Sequence, residues 1–453
     1  MANKKNVEDP STLLRTNSNS GIRIAVGMSG GVDSSVSAYL LKKQGYDVVG
    51  LFMKLWHQPR LNEKGRVETG DPCGTGQNAC CDEKALIDAR KVAKKIGIPL
   101  YVVDARREFK SAVTDYFVDE YKNVRTPNPC VVCNKKIKFG WMLEFAKKIG
   151  CEKLATGHYA RIISGMDGRL SRWQVADSNP SVISTEPKAS GEIFSRDLSA
   201  LGKPRSRDDK GKSIFRLLKG VDESKDQSYF LYQLNQEQLS KIVFPVGEMT
   251  KAEVRKIAKE AGLPVHEKKE SQEICFVEDD YRDFLRRNLG QDAFKPGEIV
   301  DAKCNVIGRH DGLINYTIGQ RKGIEQISNF EFLISNQIPK PNIQKQNRQP
   351  LYVTGFNIEN NQLIVGGDKE LYKSEFEVEN IYWTSRKWKV EGRKVERLKV
   401  KIRYKAEGIP CKITMIRDSR YKIQLAKPAR ALTPGQSAVF YSGDEVIGGG
   451  IIK

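Results

Sequence analysis

The chain has 453 residues, of which 39% are apolar and 29% charged, so it is long enough to bury the cores of two or three domains. Its 76 Lys and Arg against 56 Asp and Glu leave a net charge of +20, which indicates a polyanionic partner. No apolar run approaches the roughly 18 residues that a membrane-spanning helix needs, which excludes a helical membrane protein.

The N-terminal residues and the cysteine content indicate the compartment. Residues 1–20 lack the apolar core of a signal peptide and carry Glu8 and Asp9, so we expect a disordered tail rather than a targeting leader. Nine cysteines are too few for a disulfide scaffold, and their number is odd. Reduced thiols are typical of cytoplasmic proteins. The sequence therefore predicts a cytoplasmic protein without a membrane attachment.

Short apolar runs alternate with helical periods from residue 21 to about 159. The predicted strands begin at Ile22, Tyr46, Leu100 and Lys153. Glycine closes the helices between them. This alternation is typical of a doubly wound parallel sheet, whose ligands bind at the carboxyl ends of the strands. We therefore expect an α/β domain over residues 21–235.

Two stretches interrupt the periodic pattern. Residues 164–213 are rich in Ser, Gly, Asp, Lys and Arg, and residues 325–350 are rich in Gln, Asn and Pro. Segments with so few apolar residues cannot contribute to a core, so both are predicted to be loop insertions.

The remaining chain predicts one more helical segment and then β structure. Thr250 and Glu253 have the spacing of a capping box in front of an apolar helical stripe. From about Lys295 onward, short strands are separated by Gly, Asn, Asp and Pro. We therefore expect a small central domain over 236–372 and a C-terminal β-barrel over 373–453.

The strongest motif is GMSGGVDSS, residues 27–35, which follows the first predicted strand and opens a helix. Its glycines allow the backbone to approach an anion closely, and a helix N-terminus offers N–H groups and a positive dipole. Asp33 would orient the loop or hold Mg²⁺. A plain glycine-rich turn is the alternative, but the string SGGVDS is similar to the loop of ATP-using enzymes that release AMP and pyrophosphate.

A second motif, TPNPCVVCNKKIKFG over residues 126–140, contains Cys130 and Cys133. Its prolines predict an extended approach to a helix that starts near Cys133, and the lysines that follow favour a thiolate there. The CxxC spacing also suits a redox pair or two ligands of a metal site, and a pair of buried small residues is the alternative. Cys275 is a single cysteine that the local sequence alone assigns to the core.

Two further groups of residues could bind a ligand. Cys73, Cys80 and Cys81 lie close together, and we interpret them as bystander thiols in a loop, with a metal site as the alternative. Residues 386–430 carry 16 Lys or Arg against 4 Asp or Glu, with aromatic residues between them. A solvated barrel face would explain part of this surplus, but its size favours contact with an RNA backbone.

Taken in chain order, nine strings of this sequence closely resemble the tRNA-specific 2-thiouridylases. The resemblance is carried by SGGVDSS, LFMKLW, TPNPCVVCNKKIKFG, ATGHYAR, GVDESKDQSYFL, FPVGEMTKAEVR, ESQEICF, YTIGQRKG and ALTPGQSAVFY. It runs from Ile22 to the C-terminus and omits the tail and both insertions. It implies a nucleotide-binding α/β domain of the pyrophosphatase-loop type, a small central domain and a C-terminal β-barrel.

The resemblance also implies a reaction and its participants. ATP, with Mg²⁺, would adenylate O2 of the wobble uridine of a tRNA, and a cysteine persulfide would then deliver sulfur to C2. The implied partners are tRNAs such as those for Lys, Glu and Gln, together with a sulfur-relay protein or a cysteine desulfurase as sulfur donor.

The same resemblance assigns residues. Cys133 matches the family nucleophile and Cys275 the persulfide cysteine, and the two would form a disulfide as the sulfur is released. The residues that match ATP contacts are Gly27, Met28, Ser29, Gly30, Gly31, Val32, Asp33, Ser34, Met53 and Gly157. Target-base contacts match Asn128, Pro129 and Cys130. The residues that match tRNA contacts are His158, Lys225, Asp226, Gln227, Arg403, Tyr404 and Gln436.

Cys130 departs from the family pattern, because well-known members carry Asp at this position. Its contact with the base is therefore open, and a [4Fe–4S] cluster held by Cys130, Cys133 and Cys275 is an alternative to the persulfide. We favour the persulfide.

Two other function classes remain alternatives. A pyrophosphatase-loop ligase or amidotransferase that activates a carboxylate would need neither paired cysteines nor a basic barrel. A tRNA-binding protein with a vestigial ATP site would not need an intact SGGVDS string.

Overall fold

The computed structural model describes residues 21–56, 83–164, 171–172, 214–269, 274–277, 280–324, 350–384, 398–416 and 420–453. The predicted tail, most of both predicted insertions, the three cysteines at 73, 80 and 81, and part of the basic segment lie outside these residues. Within the described part of the chain, no helix is long and apolar enough to cross a bilayer.

The elements follow one another in the order that the sequence predicts, α/β first and β last. In chain order the strands are β1 Arg23–Gly27, β2 Asp47–Lys54, β3 Leu100–Asp104, β4 Lys153–Ala155, β5 Ala160–Ser164, β6 Ser171–Arg172, β7 Phe215–Lys219, β8 Ile242–Val243, β9 Gly297–Val300, β10 Val306–His310, β11 Tyr352–Asn357, β12 Gln362–Gly366, β13 Tyr372–Trp383, β14 Leu398–Lys401, β15 Ile409–Met415, β16 Tyr421–Arg430, β17 Ser437–Ser442 and β18 Glu445–Ile452. The α-helices are α1 Val32–Lys43, α2 Glu83–Ile96, α3 Arg106–Phe109, α4 Asp115–Lys122, α5 Pro129–Val132, α6 Met142–Lys148, α7 Gln236–Lys241, α8 Lys251–Glu260 and α9 Tyr281–Leu289.

The first sheet is parallel and has the strand order β3-β2-β1-β4-β8. Successive residues of β1 face opposite sides, so Ile24 and Val26 enter one core with α1, α2 and α8. Ala25 enters the other core, which includes Met142 and Leu143 of α6. A sheet covered on both faces needs continuous apolar strands, which is why these segments lack polar alternation. The predicted doubly wound sheet is confirmed.

The parallel sheet extends beyond residue 235, where the sequence analysis ended the α/β domain. Strand β8 pairs with β4, and Val254 and Ala258 of α8 pack in the same core as β1. The capping box at the start of α8 is confirmed. Thr250 N–H donates to Glu253 Oε2 over 2.7 Å, and Glu253 N–H donates to Thr250 Oγ1 over 3.3 Å. A two-residue strand has no detectable period, which explains why the sequence pattern does not show it.

Two helical runs contain wide π-type turns. The wide turn Lys110–Thr114 joins α3 to α4, and the wide turn Cys133–Trp141 joins α5 to α6. Pro129 occupies the first turn of α5, where its missing N–H costs nothing. Helical turns of this kind are rare and are frequently found at functional sites.

The central region forms a four-stranded sheet in the order β10-β9-β12-β11. Its small core contains Ile299, Val353 and Leu363. Helix α9, which precedes this sheet, packs instead against the α/β domain, because Phe284 and Leu285 lie in the same apolar cluster as Phe109 and Phe117.

Six strands at the C-terminus close into a barrel in the order β13-β16-β15-β14-β17-β18, and β13 also pairs with β18. Ile409, Cys411 and Ile413 of β15 alternate inward as a barrel requires. The predicted C-terminal β-barrel is confirmed. Strands β7, β5 and β6 extend the same sheet from β18, so the segments on both sides of residues 165–213 attach the α/β domain to the barrel.

Candidate functional site

A cavity of about 420 Å³ opens at the carboxyl edge of the parallel sheet, where the predicted doubly wound fold places a ligand. Its walls come from the ends of β1 and β2, the start of α1 and the segment after β4. The lining residues that the sequence analysis matched to ATP contacts are Gly27, Met28, Ser29, Gly31, Val32, Asp33, Ser34, Met53 and Gly157. Their role in binding ATP stays a prediction, but the structure brings them to one place.

The loop 28–31 is held in shape by its own serines. Ser29 N–H donates to Ser34 Oγ over 3.2 Å, Ser34 Oγ donates to the Gly31 carbonyl over 3.2 Å, and Ser35 Oγ donates to the same carbonyl over 2.7 Å. Gly31 precedes α1 and has no side chain to cap it. The first residues of this 12-residue helix line the cavity, and the uncapped N–H groups of a helix N-terminus suit an anion.

Two glycines allow this loop to pack closely. Gly30 has a φ of +69°, and a Cβ there would lie 2.3 Å from the carbonyl oxygen of Ala85 at the start of α2. A Cβ on Gly157 would lie 2.6 Å from the backbone nitrogen of Ser34. Gly30 does not line the cavity, so its contribution is to hold the loop against α2.

Gly30→Ala is expected to lower the melting temperature of the protein, whereas Gly31→Ala should change it much less. The left-handed backbone alone costs roughly 1–2 kcal/mol for a residue with a Cβ, and the contact with Ala85 adds to this. Gly31 has a φ of −97°, and its Cβ would meet only Ser29 Oγ at 3.4 Å. Thermal unfolding of both variants measures the difference, and equal melting temperatures would contradict the assigned role of Gly30.

Asp33 is paired rather than exposed to the cavity as a lone charge. Its carboxylate accepts hydrogen bonds from Lys251 Nζ at 2.7 and 2.9 Å and from the Tyr159 hydroxyl at 2.8 Å. Lys251 is the first residue of α8 and is buried. Its backbone N–H donates to Asp222 over 2.9 Å. These contacts join the start of α1 to α8 and to Tyr159, and the role of Asp33 in orienting the loop stays a prediction.

The cavity is strongly basic. Its lining includes the lysines Lys84, Lys138, Lys251, Lys268 and Lys269. Asp33 is the only acidic residue among the described lining residues. Lys268 joins the loop to α2, because its Nζ donates to the Gly30 carbonyl over 3.0 Å and to Asp88 over 2.7 Å. No local pattern in the sequence marks these lysines as ligands of an anion. For Lys251 the available signal was the capping box at Thr250, which fixes where α8 starts.

His158 lines the same cavity and is neutral. Its Nδ1 lies 2.8 Å from Thr156 Oγ1, and its ring packs between Phe139 and Phe244. Burial lowers the pKa of His158 well below its usual value, and the nearby Lys138 lowers it further. The side chain therefore offers the cavity a polar, uncharged group.

The structure brings Cys133 and Cys275 into one apolar cluster. Cys133 is 7% exposed and belongs to the cluster, and Cys275 is partly buried against it. The neighbouring Phe276 fixes the second segment, because its ring packs edge-on against Phe117 with centroids 5.2 Å apart. Leu55 belongs both to this cluster and to the cavity lining, and Met53 lines the cavity and packs against the cluster. The cavity and the apolar cluster that includes the two cysteines therefore share Met53 and Leu55.

The three cysteines considered as cluster ligands do not form a metal site. Cys130 is exposed, Cys133 is buried and Cys275 is intermediate. Among the residues that the structure describes, no three His, Cys, Asp or Glu side chains are grouped so that they could hold a metal ion. The arrangement of these described residues does not fit the iron–sulfur alternative.

The predicted target-base segment is held by the barrel. Gln436 Nε2 donates to the carbonyls of Thr126 and Pro127 over 3.1 and 3.0 Å, and Thr126 N–H donates to the Pro434 carbonyl over 2.8 Å. Asn128 and Pro129 follow directly and are buried. The C-terminal barrel thus sets the position of the segment that leads to Cys130 and Cys133.

The other residues matched to tRNA contacts connect the cavity with the barrel. Gln227 lines the cavity, and the ring of Tyr404 packs on Phe230 with centroids 4.6 Å apart. Asp226 is buried and accepts hydrogen bonds from the N–H groups of Gly220 and Ser228. These contacts hold the backbone of this segment in place.

The two remaining matched residues are less buried than Asp226. Lys225 is half-buried beside it. Arg403 donates to the Ala431 carbonyl over 2.9 Å, and burial lowers its pKa, as does the nearby Arg430.

The parallel sheet, the glycine-rich loop and the lysine-lined cavity define a nucleotide-binding α/β protein of the HUP class. Family models agree with this class and with the two β regions. Residues 22–180 and 195–279 match a tRNA methyl transferase HUP domain, residues 282–367 a tRNA methyl transferase PRC-barrel domain, and residues 373–452 an aminomethyltransferase beta-barrel domain.

Curated relatives identify the family. The chain is 41% identical over 434 residues to tRNA-specific 2-thiouridylase MnmA 1 of Caldanaerobacter subterraneus. This alignment covers 95% of this chain and 98% of the relative. It is 40% identical to the tRNA-specific 2-thiouridylase MnmA of Geobacter metallireducens, over 95% of this chain and 96% of the relative. It is 39% identical to that of Clostridioides difficile, over 95% and 98%. The chain belongs to the tRNA-specific 2-thiouridylase family.

Proposed function

We propose that the chain catalyses the ATP-dependent 2-thiolation of the wobble uridine of tRNA, with ATP in the lysine-lined cavity and sulfur carried by Cys275. The observation that carries this proposal is the shared wall between the cavity and the cysteine cluster, formed by Met53 and Leu55. It would place an activated base within reach of a thiol without a large movement of the protein.

Activation of the base explains the need for ATP. The C2 carbonyl of uracil is a poor electrophile, and its oxygen cannot leave as such. Attack of O2 on the α-phosphorus of ATP forms an adenylated base and releases pyrophosphate. The lysines of the cavity and the N-terminus of α1 would stabilise the negative charge on the phosphates. Mg²⁺ would be held mainly by the phosphates and water, since Asp33 is paired with Lys251.

Sulfur transfer then uses both cysteines. The terminal sulfur of a Cys275 persulfide attacks C2, and AMP leaves with the former O2. The Cys133 thiolate attacks the Cys275 sulfur of the resulting C2–S–S–Cys275 adduct. The C2-bound sulfur leaves with the electron pair of the S–S bond, which gives the 2-thiouridine and a Cys133–Cys275 disulfide. A sulfur-relay protein or a cysteine desulfurase would reload Cys275 after reduction.

The tRNA would bind across the barrel and the segment 126–130. The described part of the basic segment, from Leu398 onward, lies on β14, β15 and β16. The uridine must leave its stack to reach the cavity, at a cost of a few kcal/mol that backbone contacts would offset.

Gln436→Ala is expected to reduce the rate of tRNA thiolation on the order of tenfold, because it removes both side-chain bonds to residues 126 and 127. Tight binding of ATP should persist, since Gln436 does not line the cavity. Single-turnover thiolation measures the effect, with Gln291→Ala, an exposed glutamine of the central region, as the control. Equal rates for the two variants would contradict a positioning role for Gln436.

The proposal is tested with purified protein, unmodified tRNA, ATP and a persulfide donor. Nucleoside mass spectrometry should detect 2-thiouridine at the wobble position, and pyrophosphate release should depend on added tRNA. A ligase that activates a carboxylate would release pyrophosphate without tRNA, and a tRNA-binding protein with a vestigial ATP site would release none.

A further inference from the structure

We infer that Cys130 is a resolving cysteine: it transfers the disulfide formed in each sulfur transfer from the Cys133–Cys275 pair, in which Cys133 is buried, to a Cys130–Cys133 pair with an exposed sulfur, which a dithiol protein then reduces. This inference rests on the proposed function, since it needs a disulfide between Cys133 and Cys275 as the product of turnover. It adds to that reaction a third participating thiol and a class of partner.

The reason for such a step is the burial of Cys133. Cys133 is 7% exposed, and the cluster around it contains Phe109, Phe117 and Phe276, each exposed by 1% or less. Thiol–disulfide exchange requires the attacking sulfur to approach a disulfide sulfur directly. Cys133 is closed to direct attack by a folded reductant protein, whereas Cys275 is only partly buried and can be reached by a protein donor. A reductant that attacked Cys275 would occupy the sulfur that must accept the next persulfide, so a route that reduces the pair elsewhere keeps Cys275 free for reloading.

Cys130 provides a route to the surface. Cys130 lies on α5, and Cys133 follows it by three residues with helical dihedral angles of −59° and −46°. Residues i and i+3 of a helix lie on the same side of it, about 5–6 Å apart at Cβ. Cys130 is exposed whereas Cys133 is buried. This is the arrangement in which one cysteine of a CxxC pair meets an external thiol and the other remains inside.

The exchange conserves electrons, and its reductant is a dithiol protein. The Cys130 thiolate attacks Cys133 Sγ, the Cys130–Cys133 bond forms, and Cys275 leaves as a thiolate that is ready for the next persulfide. A dithiol protein then attacks the exposed Cys130 Sγ and releases the Cys133 thiolate. The second thiol of that protein resolves the mixed disulfide, so the partner leaves oxidised and the enzyme leaves reduced.

Cys130→Ser separates this step from sulfur transfer. At saturating tRNA, protein preloaded with persulfide on Cys275 should still convert its persulfide to 2-thiouridine in a single turnover, because Cys133 and Cys275 are both present and a lost contact of Cys130 with the base would weaken binding rather than block a bond-forming step. With a thioredoxin-type dithiol protein as the only reductant, its steady-state rate should fall at least tenfold. Peptide mapping after alkylation should find a Cys133–Cys275 disulfide in the variant and a Cys130–Cys133 disulfide in the parent. Dithiothreitol, which is small, should restore part of the rate.

Cys304→Ser is the matched control, because Cys304 is also exposed and lies in the central region away from the cluster. Steady-state turnover of Cys130→Ser equal to that of the control would overturn the inference and leave the proposed function intact. Loss of the single-turnover yield would also overturn it, since Cys130 would then act in sulfur transfer itself. Absence of 2-thiouridine with the parent protein would overturn both proposals.

Discussion

Cys275→Ser is expected to abolish 2-thiouridine formation completely while tRNA-dependent pyrophosphate release continues. The serine cannot carry a persulfide, but the lysine-lined cavity and its loop are unchanged, so the adenylated base still forms. Cys133→Ser should also yield no 2-thiouridine, for a different reason. Without the Cys133 thiolate the C2–S–S–Cys275 adduct cannot be resolved, and the tRNA should remain covalently attached to the protein.

The two variants are distinguished by denaturing gel electrophoresis of the protein with labelled tRNA. A band of protein–tRNA adduct is expected for Cys133→Ser alone, and dithiothreitol should remove this band because it cleaves the S–S bond. If Cys275→Ser forms the adduct instead, the roles of the two cysteines are reversed. If either variant produces 2-thiouridine at the parent rate, the persulfide route is wrong.

Lys251→Met is expected to lower kcat/KM for ATP on the order of 100-fold, with little change in tRNA affinity. The substitution removes a buried ammonium group from the cavity and leaves the Asp33 carboxylate without its charged partner, so that carboxylate would repel the phosphates. A charge-assisted hydrogen bond contributes about 1.5–3 kcal/mol, which corresponds to this factor. The measurement is pyrophosphate release at varied ATP concentration with saturating tRNA.

Lys256→Met is the matched control for this experiment. Lys256 lies on the same helix α8, but its side chain is 65% exposed and pairs with Glu260 on that helix. Thermal unfolding of both variants checks that the fold persists. An unchanged kcat/KM for ATP in Lys251→Met would show that the Lys251–Asp33 pair has a structural role alone.

The features that the sequence predicted correctly are those with a local period or a local motif. The strands predicted from Ile22 and Leu100 coincide with apolar runs and are found as β1 and β3, and the helix after Thr250 follows a capping box. The loop 27–35 was recognisable because its glycines and serines are contiguous. Such signals need no knowledge of which distant segments meet.

The features that it missed depend on distant contacts. Lys251 and Lys268 come to the cavity from a helix and a turn more than 200 residues after the loop that they contact. A lysine in an amphipathic helix has the same local appearance whether it faces solvent or a cavity. Gln436 likewise meets residue 126 only because the barrel packs beside α5.

The attachment of β5 and β7 to the barrel has the same origin. These strands lie on either side of residues 165–213, and their polar surroundings suggested a loop rather than a shared sheet edge. The pairing is specified by the barrel strand β18, which is more than 220 residues away in sequence.

In the proposed reaction, ATP consumed in the lysine-lined cavity activates a tRNA base that receives sulfur from Cys275. The most direct test is a single-turnover reaction of protein carrying ³⁵S-persulfide with ATP and unmodified tRNA. We expect one pyrophosphate to be released for each ³⁵S atom transferred, with the label recovered in 2-thiouridine at the wobble position. Label retained on the protein while pyrophosphate is released, or label transferred without ATP, would contradict it.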